Sequence, residues 1–178
     1  LLLLFSLGMP RAYSYFLVRM SVEEGAAFVA KMRRLFFGLG GAMAVLLYGG
    51  ADAVAQAMGN TELAPAFRIF APTPLLLMPV LGIESLLVAL DRTRLNVLYV
   101  LVNRLTTAVG VLLPVTVWNM GVEGAVGGFV AAGVLNFGVG TLVERLPFRH
   151  VGRRPTRVSV REILAFSLPL FTAGVCGF

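Results

Sequence analysis

The sequence predicts an all-α protein, a polytopic bundle of membrane-spanning helices, and three observations carry that reading. First, 58% of the 178 residues are hydrophobic and only 13% charged, with a mean hydropathy of +0.87. A soluble domain is about half apolar and about a quarter charged. Second, apolar runs recur at about 1–18, 35–57, 67–90, 95–118 and 124–143, most of them near the roughly 20 residues a helix needs to cross about 30 Å of hydrocarbon. Third, the basic residues alternate between links. Those at 19–34, 91–94 and 145–161 hold twelve Lys and Arg, whereas those at 52–68 and 119–123 hold only Arg68. That asymmetry places the basic links in the cytoplasm. A soluble βαβ arrangement fails, because the runs are too long and the links are not turn-rich strand connections.

Composition also excludes several functions. The net charge is +6, but the cations sit in short clusters between apolar runs rather than on one polar face. Phe36 and Phe37 lie inside such a run, so no stacking platform for nucleic acid is expected. One cysteine, Cys176, allows neither an internal disulfide nor a thiolate metal site. His150 sits among arginines and reads as a solvated link residue. No metal site and no cofactor is expected. Leu1–Met9 has the length of a signal-peptide core, yet no basic segment precedes it and no small-residue cleavage site follows. The chain begins and ends inside apolar runs and is read as a fragment of a longer membrane protein.

The first run, LLLLFSLGMPRAYSYFLV, is interrupted by Gly8 and Pro10, which loosen or kink a helix. Arg11 falls there, at an interface or in a cavity. A polar, basic connection is expected from Arg19 to Arg34. The second run starts at Leu35. The third contains Pro72, Pro74 and Pro79, tolerable in a membrane bundle where neighbours satisfy the freed carbonyls. In the fourth, Asn96, Asn103, Thr107, Gly110 and Pro114 share one polar or small face, and Trp118 suits the far interface. In the fifth, Gly124, Gly128, Ala132, Asn136 and Gly140 repeat every four residues, a stripe that lets another helix approach closely. A last apolar segment, Ile163 to Phe178, follows the basic link.

The chain is organised around ESLLVALDRTRLNVLYVLVNR, Glu84 to Arg104. Two apolar helices meet at the charged turn Asp91-Arg92-Thr93-Arg94, and each carries one charge inward of it. At about 1.5 Å per residue, Glu84 lies roughly 10 Å and Arg104 roughly 15 Å from the turn. Arg104 is therefore expected near the bilayer midplane, where a charge faces a bundle interior or a wet cavity. Arg104, Asn103, Asn96, Glu84 and Arg11 are the candidate substrate-binding residues. Glu84 would hold Arg104 in place. The same two charges also fit a buried pair that only locks two helices.

Four stretches resemble the oligosaccharide flippases of the multidrug/oligosaccharidyl-lipid/polysaccharide exporter superfamily, the polysaccharide biosynthesis membrane proteins. SLGMPRAYSYFL is similar to the end of that family's second helix, often Gly-x-Pro-x-Ala. ALDRTRLNVLYVLVNRL resembles its turn between helices four and five. WNMGVEGAVGGFVAAGV resembles the Gly-x-x-Gly-Ala start of helix six, and REILAFSLPLFTAG the start of helix seven. Their order is the specific feature. The chain departs from the pattern at Ser14 and Tyr15, where many relatives carry arginine.

The resemblance implies two six-helix lobes around a central cavity, alternating access, and a lipid-linked sugar as cargo. Residues 1–144 would form most of the N-terminal lobe, 145–161 the cytoplasmic linker and 162–178 the start of the second lobe. The expected activity is a non-enzymatic flippase. It would move undecaprenyl-pyrophosphate-linked oligosaccharide across the bacterial inner membrane, with membrane lipids and the C-terminal lobe as partners. Alternatives are a cation-coupled multidrug exporter of the same superfamily, a lipid II flippase, and a membrane-embedded glycosyltransferase or polymerase. The last would need clustered acids or histidines at an aqueous interface, and only Glu23-Glu24 comes near.

Overall fold

The computed structural model describes residues 8–152 and 154–176. Helix α1, Pro10–Phe16, runs into a 3-10 turn, Leu17–Arg19. Pro10 occupies the first turn of α1, where its missing N–H costs nothing. The expected first span, 1–18, lies partly outside the described residues.

Helix α2 is Val22–Gly49, and it begins well before the expected start at Leu35. The supposed polar connection from Arg19 to Arg34 is mostly helix. The cause is local. Ser21 caps the helix by accepting from the Glu24 backbone N–H at 3.3 Å, and Glu23 and Glu24 complement the dipole of the first turn. Buried Gly25, Val29, Met32, Phe36, Gly40 and Met43 then recur at three- and four-residue steps through the charged part and beyond. The chain bends by 64° after Gly49 into α3, Ala51–Ala57.

The third span is a stack of short helices. After a 3-10 turn at Thr61–Leu63 come α4, Ala64–Phe70, and α5, Thr73–Leu77. Another 3-10 turn, Met78–Val80, leads to α6, Ile83–Ala89. A proline stands in the first turn of α4, of α5 and of the second 3-10 turn, so each break restarts the helix where proline is tolerated. Taken together, Thr61–Ala89 is apolar enough to cross a membrane. Gly40 of α2 backs directly onto this broken stretch: a Cβ there would lie 2.6 Å from the Pro74 carbonyl oxygen.

Helices α7, Thr93–Thr116, and α8, Val122–Arg145, are unbroken and can span by length and composition. They cross at Gly110 and Gly128, where a Cβ added to Gly128 would collide with the Gly110 carbonyl oxygen. The four-residue stripe of α8 thus does what its spacing predicts. Gly128 and Ala132 meet α7, and Gly140 meets Val80 and Ile83. Along α7, Val97, Leu98, Leu101, Leu105, Val109 and Leu112 are exposed, as lipid-facing positions must be when hydrocarbon is the solvent.

A 3-10 turn, Leu146–Phe148, opens the basic link, and helix α9, Val160–Cys176, follows it. Ser159 and Glu162 form a reciprocal cap at its start: the Ser159 N–H donates to Glu162 Oε2 at 2.8 Å, and the Glu162 N–H to Ser159 Oγ at 3.2 Å. The link lies along the first half of α2. Lys31 Nζ donates to the Val158 carbonyl at 2.7 Å, and Arg154 Nε lies 2.9 Å from Glu23. Ile163 of α9 enters one core with Met9, Tyr13, Phe28, Met32 and Phe36, and Phe166 stacks on Tyr15 at 4.2 Å between ring centres.

Candidate membrane cavity

Helices α6 and α7 leave opposite sides of the turn at Asp91, whose positive φ of 54° reverses the chain. They diverge enough to leave a cavity of about 240 Å³ against α8. Glu84 of α6 and Tyr99, Asn103, Arg104 and Thr107 of α7 line it, and α8 contributes Phe129, Gly133 and Asn136. Arg104 is the twelfth residue of α7, roughly 17 Å along the axis at about 1.5 Å per residue.

The polar wall is a small network. Asn136 is buried and its Nδ2 donates to Thr107 Oγ1 at 3.1 Å and to the Asn103 carbonyl at 3.4 Å. Thr107 Oγ1 donates back to the same carbonyl at 2.8 Å. The Asn136 Oδ1 has no partner. Glu84 and Arg104 are both exposed, and no ion pair within 4.0 Å joins either to another described residue. The expected tether of Arg104 by Glu84 is therefore not formed. Both side chains line the same cavity without meeting.

The structure thus brings Glu84, Asn103 and Arg104 to one cavity. Asn96 lies outside the lining, two turns before Asn103 on the same helix, half-buried with its Oδ1 unpartnered. Arg11 is exposed on α1 and also outside it. The face carrying Asn103, Thr107, Gly110 and Pro114 is chiefly a packing face for α8, since Gly128 meets both Gly110 and Pro114.

A second polar feature lies elsewhere. Glu144, near the end of α8, is 3.3 Å from Arg33 of α2, with side chains 6% and 23% exposed respectively. The spacing of α8 carries a clue to it: Glu144 stands four residues after Gly140 and continues the buried stripe. The pair lines a cavity of about 510 Å³. Among the described residues, no cluster of three His, Cys, Asp or Glu is placed to hold a metal ion.

A bundle whose helices 61–89, 93–116 and 122–148 can each cross a bilayer, with a polar cavity between them, defines a polytopic membrane protein. The chain belongs to the polysaccharide biosynthesis protein family, whose model matches residues 2–178. Comparison with curated proteins and with solved structures gives no significant match.

Proposed function

We propose that the chain forms part of a flippase that carries a lipid-linked oligosaccharide, of the undecaprenyl-pyrophosphate type, across the bacterial inner membrane by alternating access. Surface polysaccharide assembly would consume the product. The family match supports the polysaccharide context. The observation that carries the reading is Arg104, a guanidinium deep in an apolar span that lines a cavity without an ion partner among the described residues. A charge at that depth is costly unless it faces water or an anion. Its planar donors suit phosphate oxygens, which a lysine meets only as a point charge. Asn103 and Asn136 add amide groups beside it for sugar hydroxyls. Arg11 and Asn96, outside this lining, have no part in the proposed contact.

The experiment is export in cells that depend on the full-length protein. Arg104→Ala is expected to abolish surface polysaccharide while the protein still reaches the membrane, and Arg104→Lys to recover part of it. A Glu84→Leu, Arg104→Leu double variant that exports normally at normal protein level would refute the assignment. A second reading, a cation-coupled exporter of the same superfamily, draws support from Glu84, a carboxylate in the cavity with no ion partner. It predicts that Glu84→Gln uncouples transport from an ion gradient, whereas the flippase reading predicts a mild effect.

A further inference from the structure

The cavity of about 510 Å³ beside Arg33 and Glu144 plays no part in that reading. It lies where the first half of α2 meets the end of α8 and the turn after it. Three guanidinium groups line it, those of Arg33, Arg145 and Arg149, together with the Glu144 carboxylate. Glu144 already engages Arg33 at 3.3 Å. Arg145 and Arg149 are exposed and have no ion pair within 4.0 Å among the described residues. The lining therefore carries a net charge of +2, with Arg145 and Arg149 outside any ion pair among the described residues. That arrangement suits an oxyanion that offers pairs of oxygens to a guanidinium fork, as a phosphate does.

The remaining wall is apolar, with Val29, Leu146 and Phe148 facing the same space. Leu142 and Leu146 at its mouth are 66% and 52% exposed, and Leu135 is 62% exposed. A spacing of seven residues puts Leu135 and Leu142 in one stripe along α8, and Leu146 follows in the 3-10 turn just past its end. Arg145 ends α8 three residues after Leu142, about 4.5 Å farther along the axis at 1.5 Å per residue, and Arg149 stands just after the 3-10 turn. Hydrocarbon-facing leucines thus lead to arginines at the membrane surface, because α8 is one of the spans. Basic pockets between spanning helices at that level bind anionic head groups. A volume near 500 Å³ is within the roughly 300–1,000 Å³ of small-molecule sites.

We propose that this cavity binds the phosphodiester head group of an anionic membrane phospholipid between Arg145 and Arg149, with an acyl chain along Leu135, Leu142 and Leu146. The bound lipid joins α2, α8 and the basic link, which the protein itself ties together through Arg33–Glu144 and Lys31–Val158. Inorganic phosphate offers the same oxygens without the chain and binds far more weakly.

The test uses the purified chain in a neutral detergent. Native mass spectrometry counts retained lipid, and titration gives affinity for phosphatidylglycerol, phosphatidylcholine, inorganic phosphate and undecaprenyl phosphate. One phosphatidylglycerol per chain is expected, at least tenfold tighter than phosphatidylcholine or phosphate. Arg145→Ala with Arg149→Ala should weaken it about 30-fold, the effect of two surface cations. Arg92→Ala with Arg94→Ala, an exposed pair outside the cavity, should change it less than threefold. Leu142→Ser with Leu146→Ser should weaken phosphatidylglycerol and leave phosphate binding unchanged, which keeps the proposal testable if the arginine variant fails to fold. Equal losses in the two arginine pairs, equal binding of phosphatidylcholine, displacement by equimolar phosphate, or preference for undecaprenyl phosphate would each overturn it.

Discussion

The crossing of α7 and α8 offers a paired perturbation at adjacent residues. In Gly128→Ala the new Cβ would overlap the Gly110 carbonyl oxygen and lie 2.8 Å from Pro114 Cγ. The obstacle is backbone and a proline ring, so no flexible side chain can move aside. The helices must separate by about 1 Å, and gaps of that size forfeit a quarter to a half of each contact's dispersion energy. Overpacking of this kind costs about 1–3 kcal/mol. The Asn136–Thr107 hydrogen bond, 3.1 Å long and two turns along α8, is strained as well, at about 0.6 kcal/mol for an interhelical bond in a membrane. In Gly127→Ala the Cβ meets nothing within 4 Å, and replacing a helical glycine gains up to about 1 kcal/mol. Reversible unfolding of the chain in mixed micelles should separate the two variants by about 2–4 kcal/mol, with Gly128→Ala the weaker. Coincident unfolding curves would show that the close approach does not hold the crossing together.

Three further outcomes are expected. A reporter active only outside the cytoplasm should be active after Asn60 or Met120 and silent after Arg154, because the basic start of α2 and the basic link after α8 lie together at one end and basic ends face the cytoplasm; the opposite pattern would invert the proposed orientation. Glu144→Leu should destabilise by about 1–3 kcal/mol, below the 3–5 kcal/mol of a fully buried pair because Arg33 stays 23% exposed. Adding Arg33→Leu should restore most of that loss, and a double variant worse than the single would argue against an ion pair. Ser21→Ala should lower stability by about 1 kcal/mol through loss of the helix cap, with unchanged unfolding pointing to a frayed start of α2.

Much of the fold was legible because hydrocarbon imposes a length on every span. The runs at 95–118 and 124–143 match α7 and α8 within a few residues. The start of α2 was not read, because Lys31, Arg33 and Arg34 resemble a polar link when hydropathy is the only guide. The Ser21-x-x-Glu24 pattern was the available signal, a helix start followed by buried residues every three or four positions. The prolines of the third run were read correctly as breaks. Pro74 and Pro79 fall in first turns and Pro72 just before α5, placements that follow from proline's missing N–H and need no ligand to explain them.

The site was legible in part, and the failure has a physical origin. Periodicity tells which residues share a face, not what that face meets. Asn103, Thr107 and Gly110 share a face with Asn96 that reads equally well as a cavity wall and as a packing surface. The glycines of α8 decide it, since Gly110 can touch Gly128 only if the helices close there. Asn136 then bonds across the crossing, and the cavity remains on the side where Arg104 stands. Depth alone could not predict an ion pair either. Glu84 and Arg104 come within reach of one space yet stay unpaired, while the buried pair forms between Arg33 and Glu144, residues that hydropathy assigns to links. The stripe at every fourth residue from Gly124 runs past the last apolar residue to Glu144. A helix keeps its buried face beyond the point where its sequence stops being hydrophobic, and a carboxylate on that face needs a cation from the helix it meets.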